Sequence, residues 1–496
     1  MRPETKHVSA ALMLVAVALS AAPAGAHAQV PSSQHQHEAD AEGAALFRAR
    51  EASGTAWLPD QTPMYGVGRT WRSWQVMVHG NVFAQFLYEP GEIHRTGGFD
   101  KRQFGSVNWG MLMARRPLGK GWLGLRTMLS VEPWTVTDCG YLNLLATGEM
   151  CEGDTIHDRQ HPHDLFMELA AEYDRPLRGT TRWRVYAGLS GEPALGPPGF
   201  PHRFSAMSNP VAPISHHWLD STHISFGLVT AGVYDHRWKA EASVFNGREP
   251  DDGRADLDLG KLDSVSGRLS FLPTDSLSIQ VSAAHLHEAE DEFPPDPRSD
   301  VNKGTVSATY HRAIGMGGQW ATTLGAGVNS GREIIPGGVL EARTVAILLE
   351  SHLSVRDRHA FFGRAEMVEK PAHDLHAHEY ADRIFTVGKL QAGYVRYFRA
   401  RNGLMPGIGG TVAVSMVPGE LETRYYGQLA PSFGLFLVLR PARHMMQPDS
   451  AGHHISRTPS PFLTGAANQL SDNRACGDER ALLSVDSTTP VGAHGK

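Results

Sequence analysis

Residues 164–176 read DLFMELAAEYDRP, and their alternation decides how the chain folds. Leu165, Met167, Leu169, Ala171 and Tyr173 fall on one side of the period, Glu168, Glu172 and Asp174 on the other. A repeat of two is the signature of a β-strand with an oily face and a charged face. Immediately upstream, residues 157–163 read HDRQHPH, so the strand is headed by a cluster of imidazoles.

The same pattern spreads in both directions. Val76, Val78, Val82, Ala84, Phe86 and Tyr88 oppose Gln75, His79, Asn81, Gln85 and Glu89. Leu123, Leu125, Leu129 and Val131 oppose Arg126, Ser130 and Glu132, and Trp183, Val185, Ala187 and Leu189 oppose Arg182, Arg184 and Tyr186. Further on, Val345, Ile347, Leu349, Leu353 and Val355 oppose Thr344, Glu350 and His352. Segments of this kind begin near residues 75, 104, 121, 164, 181, 223, 238, 263, 276, 302, 318, 341, 358, 384, 408 and 431. Each is about 10 to 14 residues long, enough for a tilted strand to cross a bilayer. Sustained helical periodicity is absent.

The connections alternate in length. Tight turns recur at RPLGKG, RPLRGTT, LPTDS and VRDR, and between them fall long loops such as residues 137–163, 194–222, 249–261, 288–300 and 370–383. Short turns on one rim and long loops on the other distinguish a membrane barrel from a soluble sandwich, whose strands are shorter and whose loops show no such asymmetry. The predicted fold is therefore all-β: a transmembrane antiparallel up-and-down β-barrel of about 16 strands over residues 75–440, with long extracellular loops.

Bulk properties agree. With 20% charged residues and a mean hydropathy of -0.28, the 496-residue chain is no polytopic helical membrane protein. Its long apolar run follows Arg2 and Lys6 and ends in small residues at Ala26 and Ala28, the pattern of a signal peptide (1–28) cut near Ala28 for export. Residues 29–74 read as a periplasmic leader and residues 441–496 as a polar, disordered tail. A formal net charge of -6 argues against a nucleic-acid partner. Three cysteines provide no disulfide framework, but Cys139 and Cys151 can close a small loop in an oxidising compartment.

The blocks GTAWLPDQTPMY, DRQHPHDLFMELAAEY, YAGLSGEPALGPPGFPHRFS and PISHHWLDSTHISFGLVTAGV resemble a group of predicted outer-membrane proteins of Gram-negative bacteria, over about Gly54 to Arg440. The resemblance implies a barrel in the cell outer membrane, with lipid, lipopolysaccharide and the outer-membrane assembly machinery as its surroundings. It implies no mechanism. Barrels of this kind commonly end on an aromatic residue, whereas here the last strand, SFGLFLVLR, is followed by the tail.

Histidine is abundant, at 26 residues, and four pairs have the spacing His-x-His, including His161 with His163 and His376 with His378. In an extended chain such a pair faces one way and can share a metal ion. The barrel topology gathers His157, His161, His163, Asp164, His216, His217, His223, His373, His376 and His378 at the long-loop mouth, a donor set suited to Zn²⁺ or Cu²⁺. Arg126, Glu132, Glu168, Glu172, Arg182 and Arg184 are expected to line the lumen, with Glu168 and Glu172 laddered against Arg182 and Arg184. The loop Gly191–Thr222, too apolar for disorder at Phe200, Phe204, Met207 and Trp218, is expected to fold inward.

Three functions fit. The first is a porin-like channel for small polar or cationic solutes, divalent metal among them. The second is a non-conducting barrel whose histidine-rich mouth binds Cu or Zn. The third is a lipid-hydrolysing enzyme built on Ser221, Asp220 and the neighbouring histidines; the sequence favours no enzyme, since no nucleophile elbow is present.

Overall fold

The computed structural model describes residues 50–443, apart from 91–100, 153, 291–298, 316, 336–337, 381–382 and 426. The expected signal peptide, residues 29–49 of the expected leader and nearly all of the tail lie outside the described residues.

Nineteen strands are described: β1 (Val67–Trp71), β2 (Trp74–Tyr88), β3 (Arg102–Leu118), β4 (Gly121–Leu129), β5 (Tyr141–Cys151), β6 (Asp154–Gln160), β7 (Phe166–Arg178), β8 (Thr181–Gly191), β9 (Ser225–Tyr234), β10 (Trp238–Phe245), β11 (Ser264–Thr274), β12 (Leu277–Glu290), β13 (Ser299–Ile314), β14 (Gly318–Ile335), β15 (Gly338–Val355), β16 (His359–Pro371), β17 (Ile384–Tyr397), β18 (Leu404–Met416) and β19 (Leu429–Pro441). Sixteen of them, β2 to β4 and β7 to β19, form a closed antiparallel up-and-down barrel in chain order. Closure runs from Phe433↔Tyr88 to Leu439↔Val82, where β19 pairs with β2. It leaves no barrel strand with an unpaired edge, which a bilayer would penalise by several kcal/mol per bare backbone group. Every strand start read from the sequence falls within four residues of the observed one. β1 turns back as a hairpin on the start of β2.

The period-two pattern is realised as an outside and an inside. Along β19, Leu429, Phe433, Leu435 and Leu437 point out while Ala430, Ser432, Phe436 and Val438 are buried. Val412 is 62% and Leu435 61% exposed, and Leu269, Leu324 and Val281 belong to the same outer face. An apolar surface of this extent is stable against lipid.

Inside, the barrel is filled by its own chain. Residues 192–224 cross the lumen and reach the far wall: Asn81 Nδ2 donates to the Met207 carbonyl (3.2 Å), Ser205 Oγ to Glu350 (2.8 Å), Asn209 Nδ2 to Gln391 (2.6 Å) and Trp218 Nε1 to Thr344 (2.8 Å). The hairpin β5–β6 also turns inward, where Lys389 donates to Asn143 (2.9 Å) and Lys370 to Thr147 (2.7 Å). Cys139, just before β5, and Cys151, at its end, form a disulfide, worth about 2 to 3 kcal/mol in the chain-entropy account.

Residues 50–65 correct the leader expectation, which extended to residue 74. They enter by the short-turn rim, where Arg50 donates to the His236 carbonyl and Gln61 N to the Asp275 carbonyl. They continue into the lumen, where Glu51 pairs with Arg184 (2.5 Å), Arg126 donates to the Ala52 carbonyl and Lys239 to the Thr55 carbonyl. The segment has no strand period because its polar groups are satisfied by wall side chains, not by a ladder. It meets the 192–224 plug at Gly54: its φ is +53°, and a Cβ there would lie 2.5 Å from the Glu192 carbonyl oxygen. Only glycine allows that approach.

The lumen wall is less polar than its charge pattern suggests. Phe83, Phe362, Val395, Phe436 and Val438 are buried together on the inner side, packing that a water-filled pore would not support. Met167 was expected to face lipid. A bulge, with Leu129 opposite Phe166 and Met128 opposite Glu168, instead leaves it the extra residue, and it is buried.

Candidate metal centre

Five histidines from two lumen segments gather around Phe200. His161 and His163 come from the link between β6 and β7, while His216, His217 and His223 come from the short helix His216–Leu219 and the turn Ser221–His223 inside the plug. Ring centroids lie 5.1 Å apart for His216 and His223, 5.4 Å for His163 and His223, 5.8 Å for His216 and His217, and 5.9 Å for His161 and His216. Phe200 stacks on His163 at 5.6 Å and meets His216 and His223 edge-on.

Each ring has an acceptor at Nδ1. His163 donates to Glu132 (2.9 Å), His216 to the Asp220 carboxylate (2.9 Å), His223 to the Asp220 carbonyl (2.8 Å) and His161 to the Pro162 carbonyl (3.1 Å). Glu249 lies 3.5 Å from His217 Nδ1. Carbonyl and carboxylate partners place the proton on Nδ1 and leave Nε2 as the lone-pair nitrogen. The Nε2 atoms of His216, His217 and His223 are buried with no hydrogen-bond partner. Imidazoles oriented from behind by carboxylates and carbonyls, with free Nε2 atoms in front, are how proteins present histidine to metal.

Charge states fit that role. Burial, with Arg254 and His216 adding to it, holds His161 well below its usual 6.5. Burial beside His216 does the same for His217 and His223. Burial alone would lower His163 too, but the Glu132 carboxylate raises it. His161, His217 and His223 are therefore neutral imidazoles near pH 7. The donor set is not drawn in: among the described residues, the groups with three or more ligand atoms mutually within 4.8 Å are Asp60–His236–Asp275 and Asp251–Asp256–Asp258, both outside this nest. Metal–nitrogen bonds of about 2.0 to 2.1 Å would need side-chain rotation around Phe200.

The other expected ligands part company. Asp164 faces Arg254 at 3.6 Å, and burial lifts its carboxyl to about 7. His157 packs on His376 at 4.7 Å between the hairpin and the loop after β16, and His373 lies 3.3 Å from Asp374. The side chain of His378 lies outside the described residues.

The lumen residues need two corrections. Glu132 is not on a barrel strand: β4 ends at Leu129, and Glu132 opens the one-turn helix Glu132–Thr135, fully buried against His163. The ladder is also offset. Glu168 takes Arg126 (2.8 Å) and the Tyr186 hydroxyl (2.8 Å), Glu172 lies 3.6 Å from Arg184, and Arg182 pairs with Asp174. Ser221 Oγ accepts from Lys303 at 2.9 Å, while Asp220 engages His216 and Arg203; among the described residues nothing aligns a histidine on Ser221 as a triad needs.

Glu192 joins the two plugs, accepting from Ser53 Oγ and from Gly199 N (3.2 Å). Burial outweighs the nearby Arg268 and lifts its carboxyl from 4.5 to about 7. A carboxyl raised in the folded state favours folding fully below about 4.5 and loses that advantage as pH rises through about 7. Protease access to residues 50–65 should therefore increase between pH 5 and 8, and Glu192→Gln should flatten that dependence; an unchanged slope in the variant would contradict it.

A 16-stranded barrel with an apolar exterior and a lumen occupied by its own chain is thus the class that fold and site define. No family model and no curated protein matches the sequence. Among solved structures it is similar to the outer membrane channel DcaP of Acinetobacter baumannii (9% identity over 76% of this chain and 100% of that one, TM-score 0.44). It is also similar to OmpF of Salmonella typhi in complex with daunomycin (9%, 75% and 100%, 0.44) and to an anion-selective porin from Comamonas acidovorans (12%, 74% and 99%, 0.41).

Proposed function

We propose that this protein is an outer-membrane barrel that binds a divalent transition-metal ion, Zn²⁺ or Cu²⁺, at the lumen histidine nest, and that its plugs restrict passage. The observation that carries the reading is the set of buried imidazoles with Nδ1 held from behind and free Nε2 atoms on His216, His217 and His223. A borderline ion accepting neutral nitrogen is the chemistry such a set serves. The apolar outer face and the loop asymmetry support the membrane location, with lipopolysaccharide around the long-loop rim. The filled lumen favours this reading over an open pore for polar solutes.

The test is Zn²⁺ and Cu²⁺ binding by the refolded mature barrel, compared with His161→Asn/His216→Asn/His223→Asn. The expected result is one bound ion at micromolar metal and an affinity loss of about 100-fold or more in the variant, since even an outer-sphere partner is worth 10 to 100-fold. Folded protein that binds neither ion while conducting steadily in a planar bilayer would overturn the reading in favour of a plain channel.

A further inference from the structure

We infer a second metal site, for a soft monovalent ion such as Cu⁺ or Ag⁺, on the inner wall of β2, β3 and β4 where methionines are concentrated. It is separate from the histidine nest and stands whether or not the nest binds metal. Six of the chain's 16 methionines sit in one lumen cluster: Met77, Met111, Met113, Met128 and Met167 buried, with Met64 packed against them.

Register places these side chains side by side. Met77 is directly opposite Met113, and His79, Met111 and Met128 form one row across the three strands. Cross-strand partners on one face hold their Cβ atoms about 4.5 to 5.5 Å apart, so flexible thioethers in this row can converge on a shared ion.

Two imidazoles complete the donor set. His202, from the plug, places Nε2 3.2 Å from Met128 Sδ, and His79 lies edge-on to it at 5.6 Å with a buried Nε2 that has no partner. Both rings line a cavity of about 90 Å³ whose wall also includes Met64 and Met207, room for an ion and a small ligand.

Thioether sulfur with imidazole is the ligand set of a soft ion, not of Mg²⁺ or Ca²⁺. Methionine also serves as an adaptable filler of irregular cores. A filler would be spread over the lumen, but the other large inner clusters are built chiefly of Leu, Val, Phe, Tyr and Ala. Methionine gathers beside the two histidines: His79 is in register with Met111 and His202 touches Met128, while of the cluster itself Met64 reaches the cavity wall.

Ag⁺ is the probe, being redox-inert, and the protein is the full mature chain carrying Cys476→Ser so that no tail thiol competes. Expected is one Ag⁺ per barrel with sulfur in its coordination sphere by X-ray absorption. Met111→Leu/Met128→Leu should weaken it by about tenfold or more, since a direct ligand is worth no less than an outer-sphere one. His216→Asn/His223→Asn, which disables the nest, should leave it in place. Selenomethionyl protein reads the contact without mutation, as a silver–selenium distance at the selenium edge. Folded protein without bound Ag⁺, binding through nitrogen and oxygen alone, or binding lost in the nest variant but retained in the methionine variant would each overturn the site.

Discussion

Arg203→Leu is expected to release the plug from the wall while the barrel stays closed. Arg203 is fully buried and ties the plug to the wall and to itself: Nε donates to Glu350 on β15 (2.6 Å), and Nη1 to Asp220 (2.5 Å) and the Pro198 carbonyl (3.0 Å) within the plug. Without it two carboxylates remain in a water-poor lumen, each with a weaker partner. Glu350 retains Arg364 at 3.3 Å and Asp220 retains His216. Removing one member of a buried charge network costs about 3 to 5 kcal/mol, and the retained partners place this case near the lower end. At about 3 kcal/mol the population with the plug displaced rises roughly 10²-fold. The measurement is the frequency of conducting events in a planar bilayer, with heat-resistant mobility on gels reporting that the barrel is intact. Lysine at 203 should restore little, because a point charge cannot span both carboxylates. A silent Arg203→Leu barrel, with residues 192–224 as protease-resistant as before, would show that the plug is held elsewhere.

Asp220→Ala should cost Zn²⁺ affinity although Asp220 is not itself a ligand in the proposed site. Its carboxylate accepts from His216 Nδ1, which sets the tautomer that frees Nε2, and Arg203 holds it well below the usual carboxylate range against the opposing effect of burial. Losing an acceptor of this kind typically lowers metal affinity 10 to 100-fold. Binding isotherms at pH 7.5, with Arg203→Leu as control, separate this from general loosening: Arg203→Leu also removes a partner of Asp220 but leaves the His216 contact. Equal affinity in Asp220→Ala and wild type would remove the nest from consideration as a metal site.

How far the site was legible follows from what kind of signal each part carries. His161, His163, His216, His217 and His223 stand out by spacing, and barrel topology alone brings their loops to one end. Glu132 and Asp220, which orient them, are not legible in that role: Asp220 reads as a partner of Ser221 in a candidate hydrolase set. Glu132 continues the alternation of β4 and reads as a wall residue, yet the strand stops three residues earlier. Phe200, at the middle of the nest, is one apolar residue of a proline-rich loop. The methionine row is visible only once Met77, Met111, Met113 and Met128, on three strands, are set in register.

Period-two patterning and the alternation of turn and loop lengths determined the barrel, its strand number and its outer face, because both are local: each strand must present an oily side to lipid whatever its neighbours do. That the loop Gly191–Thr222 folds inward is legible in its apolar residues, but the partners that hold the lumen's contents, and the entry of residues 50–65, were decided only in the tertiary structure. Residues 50–65 and 192–224 have no repeating period, and what places them is the match of individual groups to wall residues far away in sequence, Glu51 to Arg184 and Arg203 to Glu350 among them. Such pairings depend on where the closed wall puts each inward side chain, and closure is a property of all sixteen strands together.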